Sequence, residues 1–259
     1  MNKVSIDWNT PVVDEMKKLE ELTNGNLTSK VKYCSNCGKE IGANGQKYSN
    51  GEGFCCESCE KTFYNKQTYG FEISDIIKKN ILPIYRSTTE AELRANLVNP
   101  AVLDKVLSWQ MGSQGLALIG RTGCGKTRSM ALLLKRLISV DLVGIKSSLM
   151  VYYAGELERS IMESFGGKAK SYAELMRRLE TCGLLVIDDF GKEKFTERYE
   201  VSVFQIFEKR TANRLPIIFT TNYKGESLKA RFSDQNNYEP FSRRLNEFCD
   251  RVVFTRKER

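Results

Sequence analysis

The eight residues from Gly120 to Thr127 have the types and spacing of a loop that binds the phosphates of a nucleotide. They read Gly-Arg-Thr-Gly-Cys-Gly-Lys-Thr, which fits the pattern G-x-x-x-x-G-K-[ST]. In such a loop the glycines let backbone N–H groups surround the β-phosphate, the lysine reaches the β and γ oxygens, and the last hydroxyl ligates Mg²⁺. The predicted contacts of ATP and Mg²⁺ are Gly120, Gly123, Cys124, Gly125, Lys126 and Thr127.

The residues on both sides of this loop fit the elements that must hold it. Leu116 to Ile119 is a short apolar run, which suits a buried parallel strand. After the loop, apolar residues recur at helical spacing, and a helix N-terminus there adds its dipole to the phosphate site. These residues are Met130, Leu133, Leu134, Leu137 and Ile138. The order strand, loop, helix favours a nucleotide site over a chance glycine-rich turn.

A second apolar run, downstream of the loop, ends in two acidic residues. Leu184 to Ile187 predicts a buried strand that leads directly into Asp188 and Asp189. Because the carboxyl ends of strands face the ligand crevice in open α/β sheets, we expect Asp188 to hold the Mg²⁺ shell. Asp189 is then expected to polarise the water that attacks the γ-phosphate. The pair predicts hydrolysis, and the alternative interpretation is a solvated acidic turn.

A third predicted strand runs from Pro216 to Thr221 and ends at Asn222. Its polar end is expected beside the same crevice. There the Asn222 side chain can hydrogen-bond the attacking water or the γ-phosphate, a role usually called sensor 1. Taken alone, a strand that runs into Thr-Asn also fits an ordinary turn.

Five of the eight cysteines are clustered toward the N-terminus. Cys34 with Cys37 and Cys56 with Cys59 form two C-x-x-C pairs separated by eighteen residues, a spacing typical of a four-cysteine zinc site. Cys55 adjoins Cys56, so either is open as the third ligand, and the C-x-x-C spacing favours Cys56. A closed four-cysteine site has no open coordination position, so the predicted Zn²⁺ is structural. The alternative is reduced thiols without a metal.

The composition excludes some kinds of site. Histidine is absent from the 259 residues, which excludes a histidine base, triad or metal ligand. The formal net charge of +8 fits contact with nucleic acid, although dispersed Lys and Arg are also typical of a solvated surface. No apolar run approaches ~18 residues and the N-terminus lacks a signal-peptide core, so we expect a cytoplasmic protein without a membrane partner.

The distribution of these features predicts three parts. Residues 1–30 carry one possible helix with an apolar stripe that could bind a partner. The stripe consists of Val12, Met16 and Leu19. Residues 31–75 are expected to form a zinc-binding minidomain, and residues 76–259 an ATPase domain in which strands alternate with helices. This alternation predicts an α/β fold with a parallel sheet covered by helices on both faces.

Together these motifs resemble the AAA+ ATPases of the DnaC/DnaI helicase-loader and IstB transposition-helper group. The resemblance covers roughly Ile76 to Phe254. Besides the phosphate loop it rests on four short stretches. They are Ile81-Leu82-Pro83-Ile84-Tyr85-Arg86, Asp188-Asp189-Phe190-Gly191, Arg210 with Arg214, and Thr220-Thr221-Asn222. It implies a P-loop AAA+ domain without a helical lid, and the short segment after Asn222 fits that expectation.

The resemblance also implies that subunits assemble side by side. In that group an arginine of one subunit completes the ATP site of its neighbour, which implies a homo-oligomer with ATP sites at subunit interfaces. Arg243 and Arg244 fall at the corresponding place, and the distance from the last strand favours Arg243. Asp189 stands where many AAA+ proteins carry Glu, so its shorter side chain implies slower hydrolysis.

The function that the resemblance implies is an ATP-hydrolysing helicase loader of a bacterium, phage or mobile element. It would deliver a replicative DNA helicase to single-stranded DNA during replication initiation. A zinc minidomain ahead of the ATPase resembles the loader arrangement more than the transposition one. Three alternatives stay open: an IstB-like transposition helper ATPase, a small-molecule or nucleotide kinase, and a zinc-dependent DNA-binding adaptor whose ATP site only switches conformation.

Overall fold

The computed structural model of the chain describes residues 32–37, 39–41, 47–49, 52–97, 99–112, 114–141, 144–145, 148–166 and 169–255. The predicted helix within residues 1–30 lies outside the described residues. No helix in the described ranges is both long enough and apolar enough to cross a membrane.

The cysteine-rich part contains two short antiparallel strand pairs. Its strands are β1 (Lys32–Tyr33), β2 (Glu40–Ile41), β3 (Lys47–Ser49) and β4 (Glu52–Phe54). β1 pairs with β2, and β3 pairs with β4. A small apolar core of buried Cys34, Ile41 and Phe54 holds the pairs together, with Phe63 and Tyr64 packed against it.

A long helix, α1 (Glu57–Asn80), follows the cysteine-rich part directly. It bends at Tyr69, where φ of −125° and ψ of 23° are not helical, and it ends where Ile81 becomes extended. The predicted boundary between residues 75 and 76 therefore falls inside this helix. The division into a minidomain and an ATPase domain stays a prediction.

Among the described residues, five parallel strands form one sheet at the centre of the rest of the chain. They are β5 (Gly115–Gly120), β6 (Leu149–Tyr153), β7 (Leu184–Phe190), β8 (Ile217–Thr221) and β9 (Cys249–Phe254). The strand order is β6-β7-β8-β5-β9. Because all neighbouring strands are parallel, the phosphate loop, the acidic pair near the end of β7 and Asn222 after β8 lie at the same edge of the sheet, where the strands have their carboxyl ends.

Helices cover both faces of this sheet, as predicted. They are α2 (Pro83–Arg86), α3 (Glu90–Glu92) with a π-helical turn at Leu93–Leu97, α4 (Pro100–Leu107), α5 (Lys126–Val140), α6 (Ala154–Gly166), α7 (Ala169–Thr181), α8 (Glu197–Ala212), α9 (Glu226–Lys229), a 3₁₀ turn at Gln235–Asn237, and α10 (Tyr238–Phe248). In the described residues after Asn222, the chain runs through α9 and α10 into β9 at the sheet edge, with no helical lid.

The two faces of the sheet carry two separate apolar cores. Along β5, Leu116 and Leu118 belong to one core and Ala117 to the other, because successive side chains of a strand point to opposite faces. The first core includes side chains of α1, α4 and α5. The second includes side chains of α6, α7, α8 and α10.

Arg210, one of the residues on which the family resemblance rests, is buried. It lies at the end of the sheet opposite the nucleotide motifs. Its guanidinium donates to the carbonyl oxygens of Leu179, Cys182 and Pro216 at 2.7 to 2.8 Å. A buried cation is costly unless its donors are paired, and here backbone oxygens accept from Nη1 and Nη2, while the buried Nε has no hydrogen-bond partner. Arg210 therefore ties the end of α8 to the beginnings of β7 and β8.

Candidate functional site

The phosphate loop lies between the end of β5 and the start of α5, as its sequence predicts. Gly123 and Gly125 have φ of 80° and 93°, the left-handed region that L side chains rarely adopt. Gly125 stands immediately before the first turn of α5, and its carbonyl accepts the N–H of Ser129 at 2.9 Å. The glycines thus allow a tight bend that directs the N-terminus of α5 into the loop.

Lys126 and Asn222 are brought together across the sheet edge. Nζ of Lys126 donates to Oδ1 of Asn222 at 2.7 Å and to the carbonyl oxygens of Gly120 and Arg121 at 2.8 and 3.1 Å. The lysine is 5% exposed, so its charge is held inside the loop by neutral oxygens. The loop and the predicted sensor therefore share one site.

The carboxylate of Asp188 receives two side-chain hydroxyls. Thr127 donates to its Oδ1 at 2.9 Å, and Thr220 donates to the same oxygen at 2.5 Å. Burial raises the pKa of Asp188, while these two hydrogen bonds act to lower it. The predicted Mg²⁺ residues Thr127 and Asp188 are thus in direct contact.

Asp189 adopts a left-handed backbone conformation, which is uncommon for residues other than glycine. Its φ is 60°, in the left-handed region, and its N–H donates to Oγ1 of Thr220 at 2.9 Å. The side chain is 34% exposed and lies 3.4 Å from Nζ of Lys192, itself 68% exposed. Strained residues of this kind cluster at functional sites, and the carboxylate is open to water.

Arg243 and Arg244 lie on α10 and differ in their surroundings. Arg244 donates from Nη2 to Oε1 of Glu208 on α8 at 2.7 Å. The Arg243 side chain is 69% exposed, and its Nε is 3.9 Å from Oε1 of Glu247. Neither arginine hydrogen-bonds the phosphate loop within the part of the chain that the structure describes.

The four cysteine thiols that lie together differ from the predicted set at one residue. The Sγ atoms of Cys34, Cys37, Cys55 and Cys59 all lie within 4.8 Å of one another, so Cys55 stands where the spacing favoured Cys56. Cys56 is exposed and extended, with φ of −164° and ψ of 164°, immediately before α1. Its Sγ lies 3.8 Å from that of Cys55 but is not one of the four that are all within 4.8 Å of one another.

The geometry of the four thiols fits a tetrahedral metal. With Zn–S bonds of about 2.3 Å, tetrahedral ligands are about 3.8 Å apart. The Sγ of Cys55 lies 3.6 Å from that of Cys37 and 3.5 Å from that of Cys59. The hydrogen bond between Cys37 and Cys59 lowers the pKa of Cys37 and raises that of Cys59, so without a metal the thiolate is favoured at Cys37. The cluster could hold Zn²⁺.

Sequence analysis missed two buried residues of the part that contains the parallel sheet, Thr220 and Lys135. Thr220 hydrogen-bonds both Asp188 and Asp189. In the sequence it is one of two adjacent threonines at the end of a predicted strand, and nothing in that pattern indicates which of them contacts the acidic pair. Lys135 of α5 is fully buried and donates to the carbonyl oxygens of Arg86 and Thr88. A lysine within the apolar face of a predicted helix was the available signal.

Comparison with known proteins identifies the family. The family model described as IstB-like ATP binding protein matches residues 74–257. The chain belongs to this family. This IstB-like protein carries the P-loop AAA+ fold predicted from its motifs, and the family description supports ATP binding.

Two individual proteins are similar in sequence to the IstB-like chain. The replicative helicase loader DnaI of Bacillus subtilis is 27% identical over 143 residues, which are 54% of this chain and 43% of DnaI. The uncharacterized protein YdaV of Escherichia coli is 22% identical over 186 residues, 68% of this chain and 71% of YdaV. The match thus spans less than half the length of DnaI.

Among solved structures, domain III of the replication initiation protein DnaA from Thermotoga maritima shares the fold. It aligns with a TM-score of 0.51 and 15% identity, covering 67% of the IstB-like chain and 68% of its own. At this identity the likeness concerns the fold alone.

Proposed function

We propose that this IstB-like protein is an ATP-hydrolysing helicase loader, which delivers a replicative DNA helicase to single-stranded DNA during replication initiation. One observation carries the proposal. Lys126 meets Asn222, and Thr127 meets Asp188, at one sheet edge of a chain similar to the replicative helicase loader DnaI.

ATP binding would change the partners of Lys126. Its acceptors are neutral carbonyl and amide oxygens, and an anionic phosphate is a stronger acceptor for an ammonium group. Release from Asn222 would leave that side chain free to hold the attacking water. Lys126 and Asn222 thereby link phosphate binding to the placement of water.

Asp188 and Thr127 are the residues that would hold Mg²⁺. A bound Mg²⁺ supplies positive charge that stabilises the transferring phosphoryl group. Both residues already hydrogen-bond each other, so their oxygens face the same volume. Asp189 lies next in the chain with an accessible carboxylate, which fits the residue that polarises the water.

Arg243 fits the arginine that would complete the ATP site of a neighbouring subunit. Its side chain is largely exposed, whereas Arg244 is engaged with Glu208 on the same chain. A residue that reaches a neighbour must be free of strong partners in its own subunit. The contrast supports Arg243 over Arg244 for this role in the proposed homo-oligomer.

The cysteine cluster would hold one structural Zn²⁺ through Cys34, Cys37, Cys55 and Cys59. All four positions of a tetrahedral ion are filled by thiols, so no position is left for a substrate. We assign to this part, together with residues 1–30, the contact with the helicase.

Single-stranded DNA has a candidate surface between α6, α7 and α8. Phe165 and Tyr172 stack with ring centroids 4.2 Å apart, and the Arg198 guanidinium lies 5.7 Å from the centroid of Phe165. An open cavity of about 330 Å³ adjoins them. Aromatic rings beside an arginine are typical of surfaces that stack bases and bind phosphates.

The IstB-like description of the family supports a second candidate, a transposition helper ATPase that coats DNA for a transposase. One experiment separates the two. ATP turnover is measured with single-stranded DNA, with double-stranded DNA and with a purified replicative helicase. A loader is expected to respond to single-stranded DNA and to capture the helicase, whereas stimulation by double-stranded DNA alone, without helicase capture, would favour the transposition helper.

A further inference from the structure

The hydroxyl of Thr220 lies between the two acidic residues of the candidate ATP site. Thr220 is fully buried near the end of β8. Its Oγ1 donates to Oδ1 of Asp188 at 2.5 Å and accepts the backbone N–H of Asp189 at 2.9 Å. We propose that Thr220 is a positioning residue for ATP hydrolysis, which orients the Asp188 carboxylate and the Asp189 backbone through one hydroxyl. The proposal rests on the proposed ATPase function.

The directions of these two hydrogen bonds are fixed by chemistry. A backbone N–H can only donate, so the hydroxyl oxygen of Thr220 accepts from Asp189. The single hydroxyl hydrogen is then directed to Asp188, because an ionised carboxylate only accepts. The Thr220 hydroxyl therefore always accepts from Asp189 and donates to Asp188. Because one hydroxyl makes both hydrogen bonds, the position of one acidic residue is linked to that of the other.

The pairing of β7 with β8 shows why the Asp189 N–H needs a side chain as its hydrogen-bond acceptor. Ile187 pairs with Phe219 and Phe190 with Thr221, so Asp188 and Asp189 together oppose the single residue Thr220. Two residues against one is a β-bulge, which interrupts the backbone ladder and redirects side chains. The hydroxyl takes the Asp189 N–H at this interruption, where φ of Asp189 is 60°.

On the Asp188 side, Thr220 acts together with Thr127. Both hydroxyls bond Oδ1, one from β8 and one from the start of α5. Two donors on one oxygen restrict rotation of the carboxylate and so set the direction of Oδ2. Binding of Mg²⁺ by Asp188 would then depend on Thr220, although Thr220 itself would not contact the ion.

The neighbouring Thr221 provides a matched control. It is also buried in β8, but its hydroxyl donates to the Phe190 carbonyl at 2.6 Å and accepts the Tyr223 N–H at 3.1 Å. It bonds neither acid. Thr→Val at either position keeps the branched shape and removes one buried hydroxyl, so the two variants differ mainly in which groups lose a partner.

The experiment compares Thr220→Val, Thr220→Ser and Thr221→Val in the full chain. We measure kcat and KM for ATP, the Mg²⁺ concentration for half-maximal turnover, and the factor by which Mg²⁺ raises affinity for a fluorescent ADP analogue. For Thr220→Val we expect kcat to fall about 10-fold or more, KM to stay within about 3-fold, and the Mg²⁺ requirement to rise. Thr220→Ser is expected to restore parental values, and Thr221→Val to keep the parental Mg²⁺ requirement.

The proposed role of Thr220 would be overturned if Thr220→Val kept the parental kcat and Mg²⁺ requirement. It would also be overturned if Thr221→Val changed kcat and the Mg²⁺ requirement as much as Thr220→Val does. If the parental chain shows no turnover, the proposed ATPase function fails, and the Mg²⁺ effect on ADP affinity decides the role of Thr220 by itself. If Thr220→Val does not fold, Thr220→Cys, with its weaker donor, must give an intermediate Mg²⁺ requirement, and a parental value would overturn the proposal.

Discussion

Nζ of Lys126 and Oδ1 of Asn222 are 2.7 Å apart although 96 positions separate them in the chain. The contact joins the loop after β5 to the end of β8, two strands that pair directly. Parallel pairing brings their carboxyl ends together, so this meeting follows from the topology. The lysine and the asparagine can therefore act on the same phosphate.

The first prediction uses two substitutions to separate the role of Lys126 in binding ATP from the role of Asn222 in hydrolysis. Lys126→Ala is expected to lower ATP affinity about 10- to 100-fold, because the phosphates lose a charge-assisted hydrogen bond. Asn222→Ala is expected to keep affinity within about 3-fold and to lower kcat about 100-fold, because it acts on the attacking water. Nucleotide titration and steady-state turnover measure both. Equal losses of affinity in the two variants would contradict this division.

The second prediction concerns Asp189. Asp189→Asn is expected to bind ATP normally and to lower kcat about 100-fold or more, because an amide cannot accept a proton from water. Asn tolerates left-handed φ well, so the backbone at φ of 60° is retained. Lys192→Ala is the control, since its exposed contact with Asp189 contributes little. Parental turnover in Asp189→Asn would remove the role assigned to Asp189.

The third prediction tests the arginine acting in trans. Arg243→Ala and Lys126→Ala proteins, each inactive alone, are expected to regain partial turnover when mixed, because an intact loop can face an intact arginine. Arg244→Ala instead breaks a contact with Glu208 on its own chain, and Glu208→Gln is expected to reproduce its effect. Turnover is measured across mixing ratios with assembly checked by light scattering. Recovery with Arg244→Ala but not with Arg243→Ala would exchange their roles.

The sequence predicted the elements of this site better than its contacts. Strand, loop, acidic pair and Asn222 were recognisable because each has a local pattern of apolar and polar residues. Thr220 was not, since its function arises from a bulge between β7 and β8 that no local pattern encodes. The boundary at residue 75 was placed by composition, whereas α1 continues through it.

The choice between Cys55 and Cys56 also shows that sequence spacing predicts a motif better than it predicts the contacts of its residues. Spacing treats both C-x-x-C pairs as turns, but a helix begins at Glu57, and Cys59 lies in its first turn. The positions of the thiols around this helix start then favour Cys55, which lies within 4.8 Å of the other three, over the exposed Cys56.

The fourth prediction tests that choice. Cys55→Ser is expected to lose the bound metal, because one of four thiolates is missing, whereas Cys56→Ser is expected to retain one Zn²⁺ per chain. Metal is measured by elemental analysis of protein purified under reducing conditions. The two variants make the same chemical change at adjacent positions, so they differ only in which thiol is removed. Zinc lost from Cys56→Ser and kept by Cys55→Ser would reverse the assignment, and no zinc in the parental chain would remove the metal site.

The last prediction concerns the stability of the nucleotide-binding part. α1 carries Cys59 in its first turn, and further along it Nδ2 of Asn65 donates to the carbonyl oxygens of Ser139 and Val140 at the end of α5, at 3.0 and 3.1 Å. α5 is the helix that begins at the phosphate loop. Removing the metal should therefore loosen α1 and, through it, the packing of α5.

We expect a chelator to lower the midpoint of the ATP-stabilised thermal transition, measured by dye binding with saturating nucleotide. Asn65→Ala in the metal-loaded protein is expected to lower the same midpoint by about 2–4 °C without loss of zinc, since hydrogen bonds of this kind contribute about 1 kcal/mol. Asn80→Ala is the control, because Nδ2 of Asn80 donates to the Ile76 carbonyl within α1 and not to α5. If chelation leaves the ATP-stabilised transition unchanged and only adds an earlier one, the two parts unfold independently and α1 does not couple them.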